Sequence, residues 1–166
     1  MKSKNVRTIG KGIEDNQKAV LIIAGIGLAF YFIKKFTDKM FSKSESSKSQ
    51  ADKVEAETEA QTEKDIQELK KEGVTPSYSN SQYKIFAGTL KSAMEGFGTE
   101  EQKIYAVFRY LKNDADFLKL NAAFGMQSYD FRYLNLAAWL SAELNNVELQ
   151  SLNNNILKPR GIKYRY

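Results

Sequence analysis

The sequence predicts an all-α protein in three parts: an N-terminal transmembrane helix, a charged spacer and a small five-helix domain. Three observations carry this. Residues 19–33 form an uncharged apolar run. A stretch rich in Glu, Lys, Gln and Ala follows, with few large apolar residues. From Ser79 onward, apolar residues recur at the three- and four-residue spacing of helix faces. The expected boundaries are a basic segment at 1–18, the transmembrane helix at 19–35, a charged flexible or helical linker at 36–78, the helical domain at 79–157 and a basic aromatic tail at 158–166.

The run Ala19–Ile33 reads AVLIIAGIGLAFYFI, flanked by Lys18 and by Lys34 and Lys35. As a helix it spans about 22 Å, short of the ~30 Å hydrocarbon core. Snorkelling lysines and local thinning of the bilayer make up the difference. Its apolar residues contribute roughly −3 to −5 kcal/mol towards insertion. No small residues follow the run as a signal-peptide cleavage site requires. It is also apolar all round, unlike an amphipathic core helix. Gly25 and Ala29 form a small-xxx-small pair that would let two spans approach. Lys2, Lys4, Arg7, Lys11 and Lys18 before the run balance Lys34, Lys35, Lys39, Lys43 and Lys48 after it. The positive-inside rule therefore leaves the orientation open.

Residues 42–50 are rich in Ser and Lys and cannot build a core. Between Ala51 and Glu72 the only large apolar residues are Val54, Ile66 and Leu69. Helix propensity there is good but the apolar face is thin, which predicts a solvated helical or disordered spacer, with a partner-bound or self-associating helix as the alternative. Gly73 and Pro76 end it.

In the domain, Ser79 with Gln82 forms a capping box ahead of a helix carrying Tyr83, Phe86, Ala87, Leu90 and Met94. Thr99 with Gln102 is expected to cap the second helix, which carries Ile104, Val107, Phe108 and Leu111. Glu100 and Glu101 suit the positive end of its dipole. Asn113 or Asp114 caps a third helix carrying Phe117, Leu120 and Phe124, stopped by Gly125. A fourth carries Tyr133, Leu136, Ala137, Leu140 and Leu144. A fifth, capped by Asn145 with Glu148, carries Leu149, Leu152 and Ile156 before Pro159. The tail, Lys158–Tyr166, alternates basic and aromatic residues and is expected to fold back with its tyrosines on the domain. The alternative is contact with anionic lipid headgroups or nucleic acid.

Composition removes several chemistries. The 166 residues include no cysteine and no histidine, which rules out disulfides, thiol nucleophiles and imidazole-based dyads or triads. The net charge of +5 is unevenly spread, basic near both ends and acidic between, so there is no uniform nucleic-acid footprint. No helix has a basic, base-reading face, and no nucleic-acid partner is expected.

The run Ala93-Met94-Glu95-Gly96-Phe97-Gly98-Thr99-Glu100-Glu101, followed by Ile104, resembles the opening of an annexin repeat. Ala122-Ala123-Phe124 is similar to the third helix of that repeat, and Leu140–Leu144 to its fourth. The resemblance covers Ser79 to Leu157, about half of the chain. The spacing from the loop to Glu143 is longer than in the repeat, with the excess near Gln127–Asp130. Met94 is followed by Glu95 where the repeat has a basic residue. The resemblance implies a calcium site in which backbone carbonyls of Met94, Gly96 and Gly98 join the bidentate carboxylate of Glu143. Calcium takes six to eight oxygen ligands, a set that carbonyls, one carboxylate and water can supply. The structural alternative is that Gly96 ends one helix and Thr99 caps the next. A single repeat behind an N-terminal span is similar to proteins of bacterial and phage envelopes.

The function expected is that of a non-enzymatic, single-span membrane protein. It would present an annexin-like interaction module in a cell envelope or a membrane-containing virion, with the lipid bilayer and a protein partner or a second copy as its contacts. The alternative is a calcium-dependent lipid or surface binder. A third reading, an envelope-degrading hydrolase, would need two carboxylates across a cleft. Glu95, Glu100, Glu101 and Glu143 are available, but nothing in the sequence pairs them.

Overall fold

A computed structural model describes residues 48–166. The expected basic segment 1–18, the expected transmembrane helix at 19–35 and the start of the linker, 36–47, lie outside the described residues. Among the described residues, no helix is long and apolar enough to cross a membrane.

The described chain is mostly helical. Its elements are α1 (Lys48–Lys71), α2 (Asn80–Met94), α3 (Glu101–Tyr110), α4 (Asp114–Phe124), strands β1 (Gln127–Tyr129) and β2 (Arg132–Leu134), α5 (Leu136–Glu143) and α6 (Asn146–Ser151). A π-helical turn (Leu152–Leu157) and a 3-10 turn (Lys158–Arg160) continue α6.

The domain core forms from the expected helix faces. Tyr83, Ala87, Leu90 and Met94 of α2 are buried, with Phe86 packed at their edge. They meet Ile104, Val107, Phe108 and Leu111 from α3, and Phe117, Leu120 and Phe124 from α4. Leu136, Leu140, Leu144, Leu152 and Ile156 close the core from the C-terminal side. Three of the expected caps form. The Ser79–Gln82 box opens α2, the Asn113 side chain accepts from the Asp116 N–H at 3.0 Å, and the Asn145–Glu148 box opens α6.

Two expectations are corrected. The stretch that includes Tyr133 is not helical. Gln127–Tyr129 and Arg132–Leu134 pair as an antiparallel hairpin, with Ser128 opposite Tyr133. Asp130 takes a left-handed conformation (φ 51°) in the two-residue turn, a backbone state that aspartate tolerates. Asn135 then caps α5 by accepting from the Ala138 N–H at 3.0 Å, so the helix starts three residues late.

The second correction concerns the spacer. Residues 48–71 of it form the 24-residue helix α1, which packs along α4 and buries Ala51, Thr62, Asp65, Ile66 and Leu69. Its inward face follows alternating four- and three-residue steps, Ala51, Glu55, Thr58, Thr62, Asp65 and Leu69, the pattern of a helix seam. Most of these residues are polar, so a hydropathy reading takes the face for solvent. Gly73 (φ 81°) ends the helix as expected.

The tail folds onto the domain as expected. Ile162 and Tyr164 are buried. Tyr164 stacks on Phe117 with ring centroids 4.9 Å apart, and the Tyr166 ring lies 5.0 Å from Phe117 and 5.5 Å from Phe108. Asn121 Nδ2 donates to the Tyr166 hydroxyl at 2.9 Å.

Candidate functional site

The loop between α2 and α3 is built on two glycines. Gly96 (φ 109°) and Gly98 (φ 87°) both adopt conformations that L-residues avoid. No atom crowds either position, so the conformation alone demands glycine there. The Glu100 N–H donates to the Ala93 carbonyl at 2.8 Å and closes the loop. Met94 buries its side chain beneath it. Phe97, between the glycines, is fully exposed.

Thr99 does not cap α3. Its hydroxyl donates instead to Glu143 Oε2 at 2.6 Å, across 44 residues of sequence. The N-cap position falls to Glu100, which makes no side-chain cap. The expected Thr99–Gln102 box is absent because the helix begins one residue later than that box requires, which leaves Thr99 outside the cap position. Glu101 sits in the first turn of α3, where the helix dipole favours it.

Glu143 stands at the C-terminal end of α5. Its second oxygen, Oε1, accepts from the Tyr129 hydroxyl at 2.9 Å. Burial, followed by hydrogen bonding to Glu143, pushes the Tyr129 phenol up, so it keeps its proton and donates. Tyr129 stands edge-on to Trp139 at 4.8 Å, and Trp139 edge-on to Phe124 at 6.0 Å. One carboxylate therefore clasps the α2–α3 loop on one side and the hairpin on the other. Phe131, at the hairpin turn, is as exposed as Phe97.

Of the four residues the resemblance implies, Met94, Gly96 and Gly98 share the loop, and Glu143 reaches its end through Thr99. Hard-cation chemistry suits this set only weakly. Both Glu143 oxygens already accept hydroxyl hydrogen bonds. Among the described residues, no three acidic, His or Cys side chains gather to hold a metal. One carboxylate carries little charge for a calcium site, which points to weak affinity. Sequence reasoning missed Tyr129, Trp139 and Phe131. The only signal was the excess length near Gln127–Asp130, which the hairpin accounts for.

Replacing Glu143 with alanine removes two charge-assisted hydrogen bonds and is expected to lower stability by about 1.5–3 kcal/mol in urea unfolding. A loss under 0.5 kcal/mol would show that the clasp is ornamental. No family model, curated protein or solved structure matches the chain.

Proposed function

We propose that the chain is a single-span membrane protein that presents an annexin-like helical interaction module, with an assembly role in a cell envelope or a membrane-containing virion. The observation that carries the module's role is the pair of fully exposed aromatics, Phe97 and Phe131. They sit two residues from Thr99 and Tyr129, the two residues that Glu143 clasps. Large aromatics held out at loop tips cost solubility and are typical of contact surfaces. Glu95, Glu100 and Asp130 lie near them in sequence and give the surface an acidic fringe. That favours a protein partner, or a second copy, over an anionic lipid face. The membrane part of the reading rests on the run Ala19–Ile33.

The test has two arms. The full chain stays with the bilayer through alkaline carbonate extraction, and deletion of residues 19–33 releases it. A photo-crosslinking residue at position 97 or 131 forms a discrete protein adduct, while one at exposed Tyr110 does not. Extraction of the intact chain, or equal adducts at all three positions, overturns the reading.

The second reading is a calcium-dependent surface binder. It is favoured by the approach of Glu143 to the glycine loop. Carbonyls of Met94, Gly96 and Gly98 with the Glu143 carboxylate would hold the ion, which would supply positive charge for an anionic surface. Calorimetric titration of the full chain in detergent tests it. Heat at millimolar calcium that Glu143→Gln abolishes supports the reading, and no heat ends it.

A further inference from the structure

Helix α1 docks on the domain with an unusual face. Only its last turns carry large buried apolar residues, Ile66 and Leu69. Over residues 48–65 the buried side chains are Ala51, Thr62 and Asp65, with Val54, Glu55, Thr58 and Gln61 half-buried. Apolar burial on that stretch is therefore too small to hold it firmly.

Two carboxyl groups lie on this face. Asp65 is 5% exposed. Its Oδ1 accepts the Gln61 amide at 2.8 Å, and its Oδ2 is buried with no hydrogen-bond partner among the described residues. Among the described residues, the charged and titratable groups around it are Glu68 on its own helix and Tyr164 from the tail, with Asp114 beyond Tyr164. None is a cation. Asp114 is itself engaged by the Lys163 N–H at 2.7 Å. Glu55 lies across Gly125, so close that a Cβ there would sit 2.3 Å from Oε1, and it accepts the Met126 N–H. Asp52 and Glu59 flank it on α1, while Asn121 and Asn135 face it from the domain. A buried carboxyl with an orphan oxygen and only neutral or acidic neighbours is stable there when protonated.

We propose that residues Lys48–Asp65 form a releasable strap, docked more tightly in acid than at neutral pH, that sets how far the domain stands from the chain preceding it. Docking takes up protons at Asp65 and Glu55. Burial raises both groups above the ordinary carboxylate range, and Asp52 and Glu59 add to this at Glu55. Stability linked to a raised carboxyl is full below its ordinary value, near 4, and is lost as pH rises through the raised one. The Lys119–Glu63 pair, 3.3 Å across the same seam with Glu63 open to solvent, acts in the opposite sense. Being solvated, it is worth little. Released and extended, residues 48–65 supply roughly 60 Å of leash. The strap itself stands on the fold. That the leash runs to a bilayer rests on the membrane-anchored reading above.

Hydrogen exchange of the full chain, corrected for intrinsic rate, tests the strap between pH 4.5 and 8, with α4 amides as reference. The amides of residues 52–64 are expected to lose protection as pH rises, by up to about tenfold per pH unit for each linked carboxyl, while α4 does not change. Asp65→Asn and Glu55→Gln, which mimic the protonated forms, hold that protection at pH 8 at the wild-type level of pH 5. A flat wild-type profile, or a slope that both substitutions leave intact, overturns the proposal. Carbonate extraction remains a separate readout, so loss of the span and loss of the strap are distinguishable.

Discussion

Replacing Asp116 with alanine is expected to lower the unfolding free energy by about 3–5 kcal/mol, a large share of the stability of a small domain. Asp116 is fully buried. Its Oδ1 accepts the Ser77 N–H and the Tyr83 hydroxyl, both at 2.6 Å, and its Oδ2 accepts the Lys112 N–H at 2.8 Å. Alanine strands three donors, the Tyr83 hydroxyl in the core and the Ser77 and Lys112 N–H groups at its edge, and an orphaned buried donor costs about 1–3 kcal/mol, without strict additivity. The Tyr83 phenol is pushed far up by its burial, with Asp116 adding to the effect, so it cannot ionise to escape. Asp116→Asn should be milder, because the amide oxygen still accepts, although its NH2 then faces at least one donor and leaves it unsatisfied. Urea unfolding decides the matter. An alanine variant within 1 kcal/mol of the parent would mean that the junction before α2 reorganises freely.

Ending the chain after Arg160 is the second large effect. It removes Ile162, Tyr164 and Tyr166 and uncovers Phe117 and Phe108. At about 1.5–3 kcal/mol for each of the buried Ile162 and Tyr164, and less for the half-buried Tyr166, the loss is about 4–7 kcal/mol. The shortened chain should bind a hydrophobic dye and lose its cooperative thermal transition. A melting temperature within a few degrees of the parent's would place the tail outside the core.

How much of this was legible in the sequence depends on what kind of residue did the work. Helices α2, α4 and α6 follow from apolar spacing and caps, and α3 from apolar spacing alone, because large side chains at regular intervals leave few other ways to bury themselves. The approach of Glu143 to the glycine loop followed only from resemblance, since no local pattern links residues 44 positions apart. The hairpin was missed because Tyr133 fits a helix stripe as well as it fits a strand, and only pairing with Ser128 decides between them. The docking of α1 was missed for the opposite reason. Before Ile66 its inward face is mostly Thr, Asp and Glu, and patterning cannot tell a polar residue that packs from one that faces water.

The first turn of α4 has a wider consequence. Asp116 there holds the backbone of Ser77, and Asp114, two residues earlier, holds the backbone of Lys163. The stretches entering and leaving the five-helix unit are therefore pinned to one helical turn, about 10–12 Å apart, one helix diameter. A unit whose two ends meet is portable. Residues 77–166 can be spliced into a surface loop of another protein without prising that loop open, and a permutant that joins the two ends and opens between α5 and α6 keeps every other connection.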